Sequence, residues 1–379
     1  MIYFDYNEYI EQLKELVNID SSSYDPEGTD RVAGLMAAKY EALGLTVTQK
    51  RFDGRAGYCL EVRNYPGIEE IDVLMTGHMD TVFPKGTVEN RPFAMDAEKA
   101  YGPGVIDMKS GLLNMYYIVR ELVKNNTGLR LCLALNSDEE ISSRYSSPWI
   151  SNLAKKAKCG LVFEPARKNG AMVSDRKGLA RYNIDFKGIY AHAGVNPQDG
   201  ASAIHEMAEW ITRIVPLNDY ESGTSLNVGV VSGGMGANTV ADNARCEIDI
   251  RFSTIEACRK IEAAFDHLKE TPFTPGVRAT VTRVGFRPPM ASTETSRRMM
   301  KFMEEEGAAC GVDVHFVRTG GGSDGNFIAF EGCPVIDAVG PVGDGAHGDK
   351  EMIWLNTILP RTEMVYRTMI RLEKEGCFN

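Results

Sequence analysis

Histidine and carboxylate side chains follow apolar stretches or glycine-rich turns at five separate places in the chain. In chain order the segments are His78-Met-Asp80, Gly102-Pro-Gly-Val-Ile-Asp107, Ser137-Asp-Glu139-Glu140, Phe163-Glu164 and Ala346-His347. Imidazole nitrogens and carboxylate oxygens suit Zn²⁺, and a carboxylate that is free of the metal can act as a general base. The residue types are therefore suited to a metal site, provided that the five segments meet in space.

Each segment also has an ordinary structural explanation when it is taken alone. A single His-x-Asp is usually incidental, and a Glu-Glu pair usually lies on a solvated surface. Asp107 and Glu164 could simply cap helices. Their joint occurrence favours one site, because the carboxyl ends of parallel strands in an open α/β sheet meet at one crevice.

The elements that must position these residues alternate between helix and strand. Apolar spacings of three and four predict helices over residues 8–19, 30–43 and 112–123, and apolar runs predict strands over residues 71–76, 129–135 and 159–163. Strands separated by helices are typical of an α/β domain with a mixed, mainly parallel sheet.

The pattern changes over residues 177–288, where the order is strand, helix, strand, strand, helix, strand. Each helix there carries one apolar stripe, which favours packing on one face of a small sheet. After Pro288-Pro289 the first pattern returns. We therefore predict a catalytic domain formed by residues 1–176 and 289–379, interrupted by an inserted α+β lid over residues 177–288.

Composition excludes several classes of partner. The 379 residues include 42 basic and 52 acidic side chains, a formal charge of -10 without basic clusters, which disfavours nucleic acid. No run approaches the roughly 20 apolar residues of a membrane span, and the N-terminus lacks the pattern of a signal peptide. Eight scattered cysteines without a Cys-x-x-Cys pair indicate free thiols. These features predict a cytoplasmic protein.

The five segments, in this order, resemble those of the M20 family of metallopeptidases, and the resemblance covers essentially the whole chain. The stretches Gly320-Gly-Gly-Ser-Asp-Gly-Asn326 and Gly340-Pro-Val-Gly-Asp-Gly-Ala-His347 are similar to its glutamate carboxypeptidase branch. The family also contains acetylornithine and succinyl-diaminopimelate deacylases. The resemblance implies a zinc-exopeptidase-like catalytic domain with an inserted lid that also dimerises.

The resemblance further implies two divalent metal ions per chain, with zinc expected and cobalt or manganese as alternatives. One ion would be held by His78, Asp107 and Glu164, and the other by Asp107, Glu140 and His347. Asp80 would accept the second ring N–H of His78, and a cis peptide would follow Asp107. Glu139 would be the general base that takes a proton from water and returns it to the leaving nitrogen.

In the inserted domain the resemblance implies substrate-binding residues and a homodimer. His192 would stabilise the oxyanion in the partner subunit's site. Arg251 and Asn238 would grip the substrate carboxylate, and Gly322 and Ser323 would line the same pocket through backbone and hydroxyl. Taken alone, Arg251 could be an ordinary strand residue, and His192 could be structural.

Two reactions and one inactive alternative remain open from the sequence. A carboxypeptidase would release a C-terminal, perhaps acidic, amino acid, and an N-acyl-amino-acid deacylase would hydrolyse the same type of amide. Glu164 favours the deacylase, because the glutamate carboxypeptidase of that branch has aspartate there. An inactive homologue that only binds metal or amino acids is the third hypothesis, although every predicted ligand and Glu139 are present.

Overall fold

The computed structural model describes residues 1–376, and the chain divides into two compact units. Unit 1 comprises Met1–Asp175, Met290–Thr319 and the described residues from Ser323 onward, and unit 2 comprises Arg176–Pro289 with Gly320–Gly322. Both junctions lie one residue from the predicted boundaries, while the three glycines group with unit 2. Seven cysteines are free thiols, and Cys377 lies outside the described residues.

The helices and strands follow one another along the chain with short connections. The helices are α1 (Tyr6–Val17), α2 (Pro26–Ala42), α3 (Thr87–Asn90), α4 (Ser110–Lys124), α5 (Ser147–Ala154), α6 (Ala203–Ile214), α7 (Ile255–Glu270), α8 (Glu294–Ala309), α9 (Gly325–Phe330) and α10 (Ile358–Glu375). The strands are β1 (Thr46–Lys50), β2 (Cys59–Arg63), β3 (Ile71–His78), β4 (Ala94–Met95), β5 (Lys99–Tyr101), β6 (Leu131–Asn136), β7 (Ala157–Val162), β8 (Met172–Arg176), β9 (Gly178–Lys187), β10 (Ala191–His192), β11 (Ser225–Gly233), β12 (Thr239–Val240), β13 (Asn243–Phe252), β14 (Arg278–Arg287), β15 (Phe316–Thr319), β16 (Val335–Asp337), β17 (Gly343–Asp344) and β18 (Met352–Trp354). No helix among residues 1–376 combines the length and apolar composition that crossing a membrane requires.

Unit 1 is built on an eight-stranded sheet with the order β1-β2-β6-β3-β7-β16-β8-β15. The central strands β6, β3, β7 and β16 run parallel, whereas β1, β2 and β8 pair antiparallel with their neighbours. All residues of β3 and β6 are buried, because helices cover both faces of a parallel centre and make its strands continuously apolar. The predicted mixed α/β sheet is confirmed.

A second, short sheet in unit 1 has the order β17-β18-β5-β4. Its strands β18 and β5 pair antiparallel from Met352↔Tyr101 to Trp354↔Lys99. This pairing brings the loop that follows β5 beside the loop that precedes β18. The sequence patterns did not predict these strands, since two or three residues carry no readable periodicity.

Unit 2 contains a four-stranded antiparallel sheet with the order β11-β13-β9-β14. Residues of α6 and α7, such as Trp210 and Phe265, form one hydrophobic core with the sheet. Ser202 and Thr254 cap the two helices by accepting backbone N–H groups three residues later. The strand and helix order predicted for residues 177–288 is confirmed, with the short pair β10 and β12 in addition.

Candidate metal centre

Parallel strands of unit 1 deliver three of the predicted segments to one edge of the sheet. His78 is the last residue of β3, Glu139 lies three residues beyond β6, and Glu164 lies two residues beyond β7. Because β6 and β7 both pair parallel with β3, these strands end on the same side. The topology therefore gathers residues that are far apart in the sequence.

The short sheet supplies the other two segments. Asp107 lies in the loop between β5 and α4, where its bond to Met108 is cis, as the resemblance implied. His347 lies in the turn between β17 and β18 and has a positive φ of 65°. Since β5 and β18 are paired, both side chains approach the end of β3.

Asp107 stands between the two histidines, and each of its oxygens faces one of them. Its Oδ1 is 2.9 Å from Nε2 of His78, and its Oδ2 is 3.1 Å from Nε2 of His347. Glu164 Oε1 lies 3.7 Å from the same nitrogen of His78, and Glu140 Oε2 lies 3.2 Å from that of His347. The structure thus brings the five predicted ligands close together around Asp107, and their division between two ions stays a prediction.

The donor set fits divalent cations. Three carboxylates converge here in a largely buried position, an arrangement that needs positive charge to offset its desolvation and mutual repulsion. Glu140 Oε1 is buried and has no hydrogen-bond partner in the described part of the chain, so an acceptor is left for a cation. Within residues 1–376, two groups have ligand atoms close enough to hold an ion, namely His78, Asp107 and Glu140, and His78, Glu139 and Glu164.

The electrostatics of the metal-free cluster follow from burial and crowding. Burial, and then the charge of Asp107, raises the pKa of Glu164 well above its usual range. Burial raises the pKa of Glu140 to about 7, against the opposing hydrogen bond from His347. Hydrogen bonds to Asp107 and Glu140 raise the pKa of His347 to about 11. In the absence of a cation, protons compensate the carboxylates.

Metal affinity is therefore expected to fall as the pH falls below about 11, where His347 gains a proton, and more steeply below about 7, where Glu140 gains one as well. Glu140, Glu164 and His347 hold protons more tightly than free side chains, and each must lose its proton before it can bind a cation. Titration calorimetry of the metal-free protein at pH 6, 7 and 8, in buffers with different ionisation heats, would measure both affinity and protons released. An affinity that does not change with pH would contradict this expectation.

Asp80 holds the turn that contains the Glu-Glu pair. Its two carboxylate oxygens accept the backbone N–H groups of Glu139 and Glu140 at 3.2 and 3.1 Å, and one also accepts the hydroxyl of Ser23 at 2.6 Å. The nearer partner of His78 Nδ1 is the backbone oxygen of Asp80 at 2.9 Å, with its Oδ1 at 3.4 Å. His78 Nδ1 thus faces both the backbone oxygen and the carboxylate of Asp80, and the same carboxylate also holds the Glu-Glu turn.

Glu139 lies in the same cluster as the predicted ligands. It begins the short turn Glu139–Ile141 and is largely buried, with 9% of its surface exposed. A ligand atom of Glu139 is close to those of His78 and Glu164. The distances alone allow Glu139 to be a ligand or a base, and the resemblance favours the base.

The polar stretch after the Glu-Glu pair forms a buried network with two aspartates. Ser143 donates its hydroxyl to Asp324, and Ser146 donates its hydroxyl to Asp138. Asn136 Nδ2 lies 2.8 Å from Asp324 Oδ2 and 3.1 Å from Ser146 Oγ. This network holds the turn that follows the Glu-Glu pair and gives two of the four serines in residues 142–147, Ser143 and Ser146, buried partners.

Replacing Ser143 with alanine is expected to lower the free energy of unfolding by about 1–3 kcal/mol, because the buried carboxylate of Asp324 loses a donor. Ser142 is the matched control, since it has the same left-handed backbone, with φ 70° against 48° for Ser143, but is less buried. Urea unfolding of both alanine variants gives the comparison. Equal losses in both variants would show that the hydroxyl of Ser143 contributes nothing special.

Unit 2 places His192 and Asn238 together. Strands β10 and β12 pair His192 with Thr239, and the backbone oxygen of Asn238 accepts the N–H of Ala193 at 2.9 Å. Both side chains are exposed, and His192 Nδ1 accepts the N–H of Gly194 at 3.1 Å. The structure therefore places these two predicted residues on neighbouring segments of unit 2.

Arg251 does not join that pair within unit 2. It lies near the end of β13, whereas Asn238 precedes its beginning, and the eight residue steps from Asn243 to Arg251 span about 26 Å of strand. Its guanidinium forks onto Asp249 at 2.7 and 3.2 Å and donates to the backbone oxygen of Gly320 at 3.2 Å. A single copy of unit 2 thus keeps Arg251 and Asn238 apart.

The glycine-rich segment has an exposed part and a buried part. Gly322 is exposed, and its backbone oxygen lies 3.5 Å from Nη1 of Arg176. Ser323 is fully buried in unit 1, and its hydroxyl donates to Asp337. In the structure that hydroxyl therefore supports the segment, in contrast to the prediction that it lines a pocket.

Comparison with known proteins agrees with the motifs. The model of "Peptidase family M20/M25/M40" matches residues 74–371. The chain is 29% identical to carboxypeptidase G2 of Pseudomonas sp. (strain RS-16) over 96% of this chain and 89% of that protein. It is also 29% identical to succinyl-diaminopimelate desuccinylase of Dechloromonas aromatica (strain RCB), over 78% and 82% of the two chains.

Solved structures show the same fold. A tripeptidase from Staphylococcus aureus subsp. aureus Mu50 superimposes with a TM-score of 0.78 at 22% identity, covering 99% of this chain and 100% of the other. Aminopeptidase PepT from Bacillus cereus ATCC 10987 gives 0.77 at 23% identity, covering 96% and 98%. The match over most of the chain confirms the resemblance. The chain belongs to the peptidase family M20/M25/M40, whose members are metal-dependent hydrolases acting on carbon–nitrogen bonds.

Proposed function

We propose that this chain is a two-metal hydrolase that cleaves the amide next to a free amino-acid carboxylate and releases a C-terminal amino acid. The observation that carries the proposal is Asp107, whose two oxygens face His78 and His347 at 2.9 and 3.1 Å. A carboxylate in that position can bridge two ions. Zinc suits the mixture of imidazole and carboxylate ligands.

The proposed mechanism divides the work among a few side chains. When bound, the two ions supply a lowered pKa for the attacking water and polarise the scissile carbonyl. Glu139 takes the proton from the water and returns it to the leaving nitrogen, so one residue acts first as base and then as acid. Asp80 holds Glu139 in place through its backbone N–H at 3.2 Å.

Substrate recognition is assigned to residues of unit 2. The guanidinium of Arg251 suits a free carboxylate, and Asp249, which accepts from its Nε and Nη2 at 2.7 and 3.2 Å, keeps it oriented. His192 and Asn238 lie together and apart from Arg251 along the strand. We propose that this pair serves the reacting centre of a second copy, with His192 donating to the oxyanion.

That role requires a homodimer, and β11 offers a surface for it. This strand is an edge of the sheet in unit 2, and Val230, Val231 and Met235 are 52%, 55% and 77% exposed. An edge strand with exposed apolar side chains pairs readily with another strand. We propose that two copies associate through β11.

Replacing Val230 with glutamate is expected to convert the dimer to a monomer, because the charge would be buried without a partner at the interface. Val284 is the matched control, since it is 50% exposed on the opposite edge strand β14. Light scattering of both variants and the unmodified protein measures the mass in solution. An unmodified protein that is monomeric at working concentration would remove the basis for His192 acting on a second copy.

An N-acyl-amino-acid deacylase is the second candidate function. Glu164 favours it, as does the likeness to succinyl-diaminopimelate desuccinylase. Both reactions hydrolyse the amide nitrogen of a residue that carries a carboxylate. An inactive homologue is disfavoured, because the chain has a group of residues that could hold a metal ion as well as Glu139, the proposed base. We propose a cytoplasmic location for either enzyme.

A substrate panel separates these functions. The purified protein would be analysed for bound metal and assayed with N-acyl-glutamate, dipeptides, N-acetyl-ornithine and N-succinyl-diaminopimelate. Turnover confined to the first two supports the carboxypeptidase, and turnover confined to the last two supports the deacylase. Metal binding without turnover of any substrate would move the assignment to the inactive homologue.

A further inference from the structure

A buried glutamate outside the predicted ligand set grips the backbone around Asp107. Glu351 is 1% exposed and lies four residues after His347. Its Oε1 accepts the N–H groups of Ile106 and Asp107 at 3.0 and 3.1 Å, and its Oε2 accepts that of Gly104 at 3.0 Å. Both oxygens of this carboxylate are therefore committed to the loop that carries the central Asp107.

The same residue belongs to the turn that carries His347. The backbone N–H of Glu351 donates to Gly348 at 3.3 Å, and the next residue begins β18. Its side chain crosses from this turn to the loop after β5. One carboxylate thus joins the two loops that supply Asp107 and His347, which are 240 residues apart.

The neighbouring Lys109 fixes the other side of that loop. Lys109 is 1% exposed, and its Nζ donates to the backbone oxygens of Ile19 and Pro103 at 2.7 and 3.5 Å. Its contacts are to backbone groups of the 102–109 loop and the segment before Ser23. Glu351 instead accepts the backbone N–H groups of this loop, including that of Asp107 itself.

We propose that Glu351 is a positioning residue for the metal centre, which sets the distance between Asp107 and His347 and thereby the affinity for metal. This inference rests on the proposed metal centre. A carboxylate can accept from all three N–H groups at once, whereas the amide of glutamine has only one oxygen that can accept. In the best orientation, glutamine would retain the bonds to Ile106 and Asp107 and turn an NH₂ group against the N–H of Gly104.

The test compares Glu351→Gln with Glu206→Gln. Glu206 is the matched control, because it is also 1% exposed and accepts three N–H groups, from Trp210, Phe273 and Thr274, in the core of unit 2. Zinc affinity of the metal-free proteins is measured by competition with a chromophoric chelator, together with kcat, KM and melting temperature. Glu206→Gln reports the general cost of altering a buried carboxylate.

Glu351→Gln is expected to weaken zinc binding by about 10–100-fold and to lower kcat at limiting metal with KM unchanged, with recovery in excess zinc. Glu206→Gln is expected to lower the melting temperature while its zinc affinity stays within about twofold of the unmodified protein. An unchanged affinity in Glu351→Gln, or an equal loss in both variants, overturns the proposal. If Glu351→Gln does not fold, Glu351→Asp, which keeps the charge and shortens the reach, is judged by the same criterion. An unmodified protein that binds no zinc would instead contradict the metal centre itself.

Discussion

Replacing Glu139 with glutamine is expected to lower kcat by about 10²–10⁴-fold while both metal ions stay bound. Glutamine has nearly the same shape, so the turn held by Asp80 keeps its backbone hydrogen bonds at 3.2 and 3.1 Å. It cannot accept a proton from water. The proton transfer is therefore lost, while the metal ligands remain.

The experiment measures kcat, KM and bound metal for Glu139→Gln and, as a control, Glu140→Gln. Glu140 follows directly in the same turn, and its Oε2 lies 3.2 Å from Nε2 of His347. Its substitution is therefore expected to cause loss of bound metal as well as loss of activity. If Glu139→Gln also loses an ion, Glu139 is a ligand, as its closeness to His78 and Glu164 permits. Equal kcat in the variant and the unmodified protein would remove Glu139 from the mechanism.

Replacing Asp107 with asparagine is expected to have the largest effect, emptying both metal positions and lowering kcat by at least about 10⁴-fold. Asp107 faces both histidines, so it is the one predicted ligand that belongs to both sets. Asparagine removes a negative charge and leaves one ligand oxygen instead of two. The affinity of the protein for a cation is therefore lowered both at the His78 side and at the His347 side of this residue.

Asp349→Asn is the control, because it removes the same charge two residues after His347 from a side chain that is fully exposed. Elemental analysis after gel filtration gives the metal content, and the substrate panel gives kcat. We expect Asp349→Asn to retain about two metal ions per chain and Asp107→Asn to retain fewer than about one. Retention of both ions by Asp107→Asn would contradict a bridging role.

The identity of the residues in the site could be inferred from the sequence. His78, Glu139 and Glu164 follow apolar strands, and parallel strands must end on one side of their sheet, so local patterns were enough to bring them together. Asp107 and His347 were named from the resemblance of their motifs. The strand and helix order of unit 2 was also readable, because each element has a clear apolar period.

The sequence did not predict how the loops around the site are held. Asp80 was expected to orient His78 through its carboxylate, which lies 3.4 Å from the ring nitrogen, but the sequence did not predict that the same carboxylate also holds the Glu-Glu turn. Glu351 and Ser143 act through hydrogen bonds to groups between 181 and 247 residues away. Arg251 and Asn238 were paired by resemblance, but the length of β13 separates them in one copy.

Sequence alone therefore determined the fold class, through short apolar periods along the chain, and the family, through the resemblance of its motifs, while the ligand set that this resemblance implies stays a prediction. The tertiary structure decided which oxygen of Asp107 faces which histidine, and which buried carboxylates hold the loops. These contacts depend on the short β5–β18 pairing and on side chains that meet across the fold. Hydrogen bonds over such separations leave no periodic signal, since their partners are specified only once the backbone is folded.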